Sequence, residues 1–236
     1  VVFASTRVHT KMIKRLWNWN NMPYLDMFEA EIDRGELRNV KEFEKSFNKK
    51  YHEGPASFNK KDDFVAFTRN NYEEKSSDGV RKNQIFFSVK EKGKWSKPVP
   101  FPYNDKEYSV GHPSLTPDGK TMYFASDMPG GYGGVDLYVS NLNEDGTWSK
   151  PENLGEMINT EGNEQFPFKH ENGFIFFASD GLPGLGGMDI FVVKEVSGRY
   201  SVPKNLGAPV NSSKDDFAFV IDKKMNTGFF SSNREE

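Results

Sequence analysis

Two glycine-rich segments that each end in an aspartate are the parts of this sequence most suggestive of chemistry. They run from Gly130 to Asp136 (GGYGGVD) and from Gly184 to Asp189 (GLGGMD). Loops of this composition can cradle a phosphate, but the phosphate must then meet the N-terminus of a following helix. Each loop here leads instead into a strand-like run, LYV or IFV, which excludes a phosphate loop.

We therefore interpret both segments as tight connections between two strands. Glycine allows the positive φ angles of such turns, and Asp136 and Asp189 are expected to accept backbone hydrogen bonds as structural braces. Calcium is the alternative occupant, because it favours carboxylate and carbonyl oxygens. No other cofactor is expected.

The two segments belong to a longer repeat, which identifies the elements that position them. The sequence YFASDMPGGYGGVDLY at 123–138 returns as FFASDGLPGLGGMDIF at 176–191, and weaker copies precede and follow. Self-similarity at such a period is typical of repeat architectures. Each full copy contains four short strand signals separated by turns such as Pro117-Asp118-Gly119. The approximate repeats are 1–51, 52–108, 109–162, 163–213 and 214–236.

Four short antiparallel strands per copy predict the blades of a β-propeller. The fold class is all-β, with about five blades of which the first and last are incomplete, in a single domain that we interpret as a fragment of a longer protein. The first repeat ends in a segment, 39–47, whose spacing also fits an amphipathic helix. Its register with Trp95-Ser96-Lys97-Pro98 favours an outer strand and a linker.

Polar residues precede or begin the first strand of four repeats. Because the innermost strands of a propeller surround its channel, Glu53, His112, Glu164 and Asp216 are predicted to meet at one channel mouth. There they are candidates to hold a small ligand or a cation. The alternative is that they satisfy neighbouring backbone groups.

The connection between the second and third strands of the first repeat is rich in aromatic residues. Exposed aromatic residues beside arginine are typical of binding surfaces. A second long connection, 70–83, should project nearby. The candidates for protein docking are Arg15, Trp17, Trp19, Tyr24 and Tyr72.

The remaining composition excludes several classes. The net charge is −3, without the basic surface expected of a nucleic-acid binder. There is no cysteine, and the four histidines lack metal-ligand spacing, so no metal site is predicted. No serine lies in a Gly-x-Ser-x-Gly motif. No stretch is long and apolar enough for direct membrane insertion.

The repeats resemble the WD40-like, TolB-type propeller repeats of Bacteroidota envelope proteins. The resemblance rests on four motifs: TPDGKTMYFASD at 116–127, GGYGGVDLYV at 130–139, NEQFPF at 163–168 and KDDFAF at 214–219. These are similar to OmpA-family proteins with such a propeller, including the PorE-like component associated with the type IX secretion system. The resemblance implies a periplasmic, outer-membrane-associated protein. It also implies that peptidoglycan is bound only by domains outside this chain.

Two functions follow from these observations. The first is a non-enzymatic scaffold for contacts between envelope or secretion-system proteins. The second is a glycan-binding or glycoside-hydrolase-like propeller that uses the channel mouth. A glycosidase needs two carboxyl groups at about 5 to 10 Å from each other, and the sequence does not fix that separation.

Overall fold

A computed structural model describes residues 1–7 and 22–235 of the chain. Within these ranges all regular structure is β-strand, arranged in five antiparallel sheets that follow one another in sequence. No described helix is both long and apolar enough to cross a lipid bilayer.

The bounds of the strands follow the repeats. The first sheet contains β1 (Val2–Ser5), β2 (Asp26–Asp33) and β3 (Glu36–Glu42). The second contains β4 (Glu53–Phe58), β5 (Phe64–Asn70), β6 (Asn83–Glu91), β7 (Lys94–Trp95) and β8 (Val99–Pro100). The third contains β9 (Val110–Leu115), β10 (Thr121–Ser126), β11 (Asp136–Asn141) and β12 (Glu152–Asn153). The fourth contains β13 (Glu164–Lys169), β14 (Phe174–Ser179), β15 (Asp189–Val196), β16 (Arg199–Tyr200) and β17 (Lys204–Asn205). The fifth contains β18 (Asp216–Ile221) and β19 (Gly228–Ser232).

Each sheet packs against the next as a propeller blade. The innermost strands β4, β9, β13 and β18 each contact several strands of the preceding blade, for example β9 against β4, β5 and β6, and β13 against β9, β10 and β11. The predicted all-β propeller of antiparallel blades is confirmed. Segment 39–47 contains the end of β3 and a turn, as the repeat register predicts, and no helix. The division into one domain stays a prediction.

The outermost strand differs from the prediction. The repeat pattern places it in the segments 95–98, 148–151 and 200–203, each of which begins with an aromatic residue. The two-residue strands that pair there as outer strands are instead β8, β12 and β17, about four residues after those aromatic residues. Trp95 and Tyr200 instead lie in short hairpins that extend the third strand of their blades. The physical reason is packing: Trp148, for example, stacks on Phe87 of the preceding blade at 5.1 Å between ring centroids.

The core lies at the seams between blades. At the seam of the second and third blades, Phe101 contacts Phe124 at 5.5 Å and Trp148 at 6.2 Å, and all three rings are buried. Burial of one such ring stabilises the fold by roughly 1.5 to 3 kcal/mol. The blades are therefore held together by the residues that connect them.

One asparagine in each of four linkers clamps the third strand of its own blade. The side chain of Asn159 accepts a hydrogen bond from the Leu137 N–H at 2.8 Å and donates one to the Leu137 carbonyl at 3.0 Å. The same two-way contact joins three further pairs: Asn48 with Met27, Asn104 with Ile85, and Asn211 with Ile190. Each clamp gives the strand N–H a side-chain partner and gives the strand carbonyl a second donor beside a linker N–H, as Leu154 N–H does for the Leu137 carbonyl at 3.0 Å.

Removing the side chain of one clamp asparagine tests how much the clamp contributes to stability. We expect Asn159→Ala to lower the free energy of unfolding by about 1 to 3 kcal/mol, because the buried Leu137 N–H loses its partner while the Leu137 carbonyl keeps the Leu154 N–H. The measurement is the midpoint of urea denaturation, with the exposed Asn143→Ala as the matched control. Equal midpoints for the two variants would contradict the clamp.

Candidate functional site

Three of the four predicted channel-mouth residues occupy one structural position. Glu53, Glu164 and Asp216 are the first residues of β4, β13 and β18, and all three are fully buried. Each carboxylate accepts a hydrogen bond from the backbone N–H four residues earlier in its linker, from Lys49, Thr160 and Ser212 respectively.

Hydroxyl and guanidinium groups complete two of these contacts. Glu164 Oε1 also accepts hydrogen bonds from Thr160 Oγ1 at 2.7 Å and Ser179 Oγ at 2.6 Å. Burial raises the pKa of Glu164, although these hydrogen bonds oppose the shift. Asp216 is paired with Arg234. Burial there favours the neutral acid, but hydrogen bonds led by Ser232 and Arg234 hold the pKa of Asp216 below its usual range.

Glu53 differs because its partner on the neighbouring strand is an arginine. Arg69 Nε lies 3.7 Å from Glu53 Oε1, and both side chains are at least nine-tenths buried. The Arg69 guanidinium also lies 5.0 to 5.2 Å from the ring centroids of Phe67, Tyr72 and Phe86. Burial raises the pKa of Glu53 to about 8 despite the Lys49 hydrogen bond and the Arg69 charge.

His112 lies elsewhere in the register. Val110 is the first residue of β9, and His112 follows in a bulge with a φ of 54°. Its ring stacks on Phe166 at 3.8 Å between centroids, and Phe166 contacts Phe217 at 5.0 Å. Burial lowers the pKa of His112 to about 4, so the ring is neutral at pH 7.

The four residues therefore do not form one open polar mouth. Each carboxylate is turned to its own linker, while His112 belongs to a stack of rings along the inner strands. Residues 1–7 and 22–235 contain no cluster of three or more acidic or histidine side chains that could hold a metal. A role for Glu53, His112, Glu164 and Asp216 as ligand or cation residues stays a prediction.

The glycine-rich loops hold the seam between blades. Asp136 accepts hydrogen bonds from the N–H groups of Tyr132 at 2.6 Å and Gly133 at 3.2 Å, and Asp189 accepts equivalent bonds from Leu185 and Gly186. Each aspartate thus binds the loop that precedes it.

The reason for the glycines differs from the one expected. Within the two loops only Gly130 has a positive φ, of 93°. A Cβ on Gly133 would instead lie 2.3 Å from the Thr160 carbonyl oxygen, and one on Gly186 would lie 2.4 Å from the Lys214 carbonyl oxygen. The glycines let each loop touch the linker of the next blade.

Two of the predicted docking residues are brought together by a third aromatic residue. Tyr24 and Tyr72 both contact Tyr51, with centroid distances of 5.6 and 5.4 Å, and all three are partly exposed. We call this group the tyrosine cluster. Arg15, Trp17 and Trp19 lie outside the described residues.

Cations surround the tyrosine cluster. The Arg81 guanidinium lies 4.9 Å and the Lys50 ammonium 5.2 Å from the centroid of Tyr51. Arg81 also donates hydrogen bonds to the carbonyls of Asn71 and Tyr72, which orders the connection between β5 and β6. Sequence reasoning missed Tyr51 as a site residue. Its place directly before a predicted inner strand was the signal that could have found it.

Comparison with known proteins supports the fold class. No family model and no curated protein matches the chain. Among solved structures, TolB from Acinetobacter baumannii is similar with a TM-score of 0.54 and 14% identity over 87% of this chain. This chain spans 42% of that TolB chain. The class is therefore a TolB-like β-propeller, and at this identity the likeness extends to the fold alone.

The comparison also corrects one prediction. A puromycin-hydrolyzing peptidase of Mycobacterium tuberculosis is similar with a TM-score of 0.51 and 14% identity, over 83% of this chain and 28% of its own. A thermostable family-43 glycoside hydrolase is similar with a TM-score of 0.49 and 12% identity, over 89% and 75%. The prediction that the chain is not an enzyme is wrong as an inference from its fold, because the peptidase is an enzyme that contains a similar fold.

The pKa of Glu53 predicts a pH dependence of stability. An acid with a raised pKa in the folded state contributes stability that is complete below its unfolded pKa and is lost as the pH rises. We expect the free energy of unfolding of the wild type, relative to Glu53→Gln, to fall between about pH 4.5 and 8. Denaturation in urea at a series of pH values measures this.

The matched variant Asp216→Asn should behave in the opposite way. Because the folded-state pKa of Asp216 is lowered, its contribution is present at neutral pH and is lost on acidification. For Glu53, the quantity compared is the free energy of unfolding of the wild type minus that of Glu53→Gln. If this difference is constant or increases with pH, Glu53 is ionised in the folded protein and the prediction is wrong.

Proposed function

We propose that this chain is a protein-docking scaffold that binds its partner through the tyrosine cluster. The TolB-like propeller fold supports a protein-binding role, and the cluster is the observation that carries it. Tyrosine supplies a large contact area at a low cost in conformational entropy, and it is enriched where binding energy is concentrated.

The contacts of the cluster suit a prepared binding surface. Tyr24 packs edge-on against Tyr51 and His52, and the Tyr72 hydroxyl accepts a hydrogen bond from the Lys50 N–H at 3.2 Å. The rings are therefore held in place while remaining partly exposed. A rigid aromatic surface loses little conformational entropy on binding. The cations Lys50 and Arg81 favour a partner with acidic groups.

The resemblance of the repeats to envelope proteins suggests where this scaffold works. We propose a periplasmic, outer-membrane-associated protein whose partners are envelope or secretion-system proteins, as in the type IX secretion system. Peptidoglycan would be bound by domains outside this chain. The docking itself needs no cofactor.

Site-specific crosslinking tests the proposal. With p-benzoylphenylalanine at position 24 or 72, we expect one shared partner protein to be captured in bacterial envelopes. The control is the same group at Val202, which is 74% exposed and belongs to the fourth blade. The double variant Tyr24→Ser/Tyr51→Ser should weaken binding of the captured partner about 30-fold or more, as loss of an aromatic centre does in other interfaces.

The proposal is tested by comparing which proteins are crosslinked from each position. Crosslinking of the same proteins from positions 24, 72 and 202 would show nonspecific proximity and overturn the proposal. Unchanged affinity of Tyr24→Ser/Tyr51→Ser, with an unchanged thermal denaturation midpoint, would also overturn it.

A further inference from the structure

A buried acid and base lie directly beneath the tyrosine cluster. Glu53 begins β4, and Arg69 is its cross-strand neighbour in β5. The Arg69 guanidinium lies 5.2 Å from the ring centroid of Tyr72, which belongs to the cluster. Glu53 is fully buried and Arg69 is 8% exposed, whereas Tyr72 is partly exposed. Tyr72 therefore covers part of this charged pair.

The fold supplies Glu53 with fewer hydrogen-bond donors than its two counterparts. Both carboxylate oxygens of Glu164 accept hydrogen bonds, and so do both oxygens of Asp216. Glu53 Oε1 accepts one hydrogen bond, from the Lys49 N–H at 3.1 Å, and Oε2 has no partner among the described residues. A buried carboxylate with so few donors is poorly stabilised as an anion.

The arginine does not supply the missing donors. Arg69 Nε lies 3.7 Å from Glu53 Oε1, which is beyond hydrogen-bond distance, and it has no hydrogen-bond partner in the described part of the chain. Its Nη2 donates instead to the Phe47 carbonyl at 2.8 Å. Arg69 is thus held by the linker and by aromatic rings. Its charge stays in place whichever form Glu53 adopts, because a guanidinium remains protonated.

Other charges also act on Glu53 from the elements packed against it. Burial is the largest influence and raises the pKa of Glu53 to about 8, while the Lys49 N–H and the Arg69 charge oppose this shift. Asp26 of β2 raises the pKa further, and the Lys49 charge lowers it. The strand β1 contributes no ionisable side chain. The two forms of the acid are therefore closely balanced near neutral pH.

The two histidines near Glu53 stay neutral while it titrates. His52 precedes Glu53 in the chain, and His112 lies in β9, which packs against β4. Burial lowers the pKa of both rings, that of His112 to about 4. Above about pH 6.5, the change of charge beneath the cluster therefore comes from Glu53.

We propose that protonation of Glu53 controls how strongly the tyrosine cluster binds an acidic partner, a regulation that rests on the docking function proposed above. When Glu53 is neutral, the buried pair carries the full positive charge of Arg69 beneath Tyr72. When Glu53 is ionised, the pair is neutral overall. An anionic group of the partner is therefore attracted more strongly at the lower pH.

The titration of Glu53 is tested first on the wild-type chain alone. With ¹³C in the side-chain carboxyl groups of glutamate, we expect the Glu53 resonance, assigned through its own backbone amide, to move with a midpoint near pH 8. A midpoint below about pH 6.5 would overturn the proposal, because the pair would then be neutral overall at pH 7.

The charge that the cluster presents is measured next, without a partner. Two nitroxides with the same ring, 4-carboxy-TEMPO and 4-trimethylammonium-TEMPO, relax protein protons according to their local concentrations, which depend on the local potential. We expect the anionic-to-cationic ratio of these effects at the ring protons of Tyr51 and Tyr72 to fall about twofold between about pH 6.5 and about pH 9. Glu53→Gln should keep the low-pH ratio throughout.

A matched variant and a shared midpoint keep this result specific to Glu53. Asp216→Asn removes a buried carboxyl group from the fifth blade and should retain the wild-type response. A wild-type ratio that is independent of pH, or an equal fall in Glu53→Gln, would overturn the proposal. If Glu53→Gln fails to fold by circular dichroism, the two wild-type titrations still decide, because different midpoints for Glu53 and for the ratio would also overturn it.

The last measurement uses the protein that is crosslinked from positions 24 and 72. Its affinity for the wild type should fall on the order of fivefold between about pH 6.5 and about pH 9, whereas its affinity for Glu53→Gln should not change. Equal falls for both would overturn the regulation and leave the docking intact. If no protein is crosslinked, the docking function is contradicted, and the nitroxide ratio still decides whether Glu53 sets the charge of the cluster.

Discussion

The structure depends on satisfying the backbone of each third strand where the linker crosses it. A linker that leaves one blade and enters the next runs past this strand without pairing to it along its length, and an unpaired buried N–H or carbonyl costs about 1 to 3 kcal/mol. With one side chain, each asparagine clamp supplies the partner of the strand N–H and a second donor to the strand carbonyl. Asn159 and Asn211, which are 2% exposed, do so in a fully buried position. Four linkers of different sequence reach the same geometry because one amide group provides both a donor and an acceptor.

The same requirement explains why carboxylates begin the inner strands. Glu53, Glu164 and Asp216 capture the N–H four residues earlier, and their own N–H groups donate to Leu25, Val135 and Met188 of the preceding blade. Each therefore fixes the linker and the seam together. The third blade has Val110 at this position, so the position tolerates an apolar residue. Glu53 differs most from the other two carboxylates. Its cross-strand neighbour is Arg69, whereas Glu164 and Asp216 each have a serine at that position.

The repeat allowed the fold to be predicted, and its limits explain what was missed. Period and turn signals locate strands well, as at 121–126 and 174–179, because alternation and glycine are local properties. They do not fix which residues pair. Trp148 has the pattern of an outer strand, but its packing on Phe87 of another blade decides its place.

The predicted channel mouth also shows what sequence pattern cannot determine, here the direction of side chains. The polar residues that begin the inner strands are visible in the sequence, but the direction of their side chains depends on contacts with residues four positions earlier and on the next strand. His112 was grouped with them although it lies two residues after Val110, which begins β9, and so corresponds to Phe166 and Ala218 of the next inner strands. The tyrosine cluster was found in part, since Tyr24 and Tyr72 lie in unusual loops. Tyr51 lies in a linker that resembles the others.

The carboxylates that brace the seams recur in three of the four inner strands. The positions that brace the seams are already bonded within the fold, so a ligand would have to break those bonds to use them. The tyrosine cluster, by contrast, contains side chains that the repeat does not require. The second blade contains the buried Glu53–Arg69 pair, whose arginine packs on Tyr72 of the cluster. A change in the charge of Glu53 would therefore act on the cluster through Arg69, which connects the stability of this blade to its binding surface.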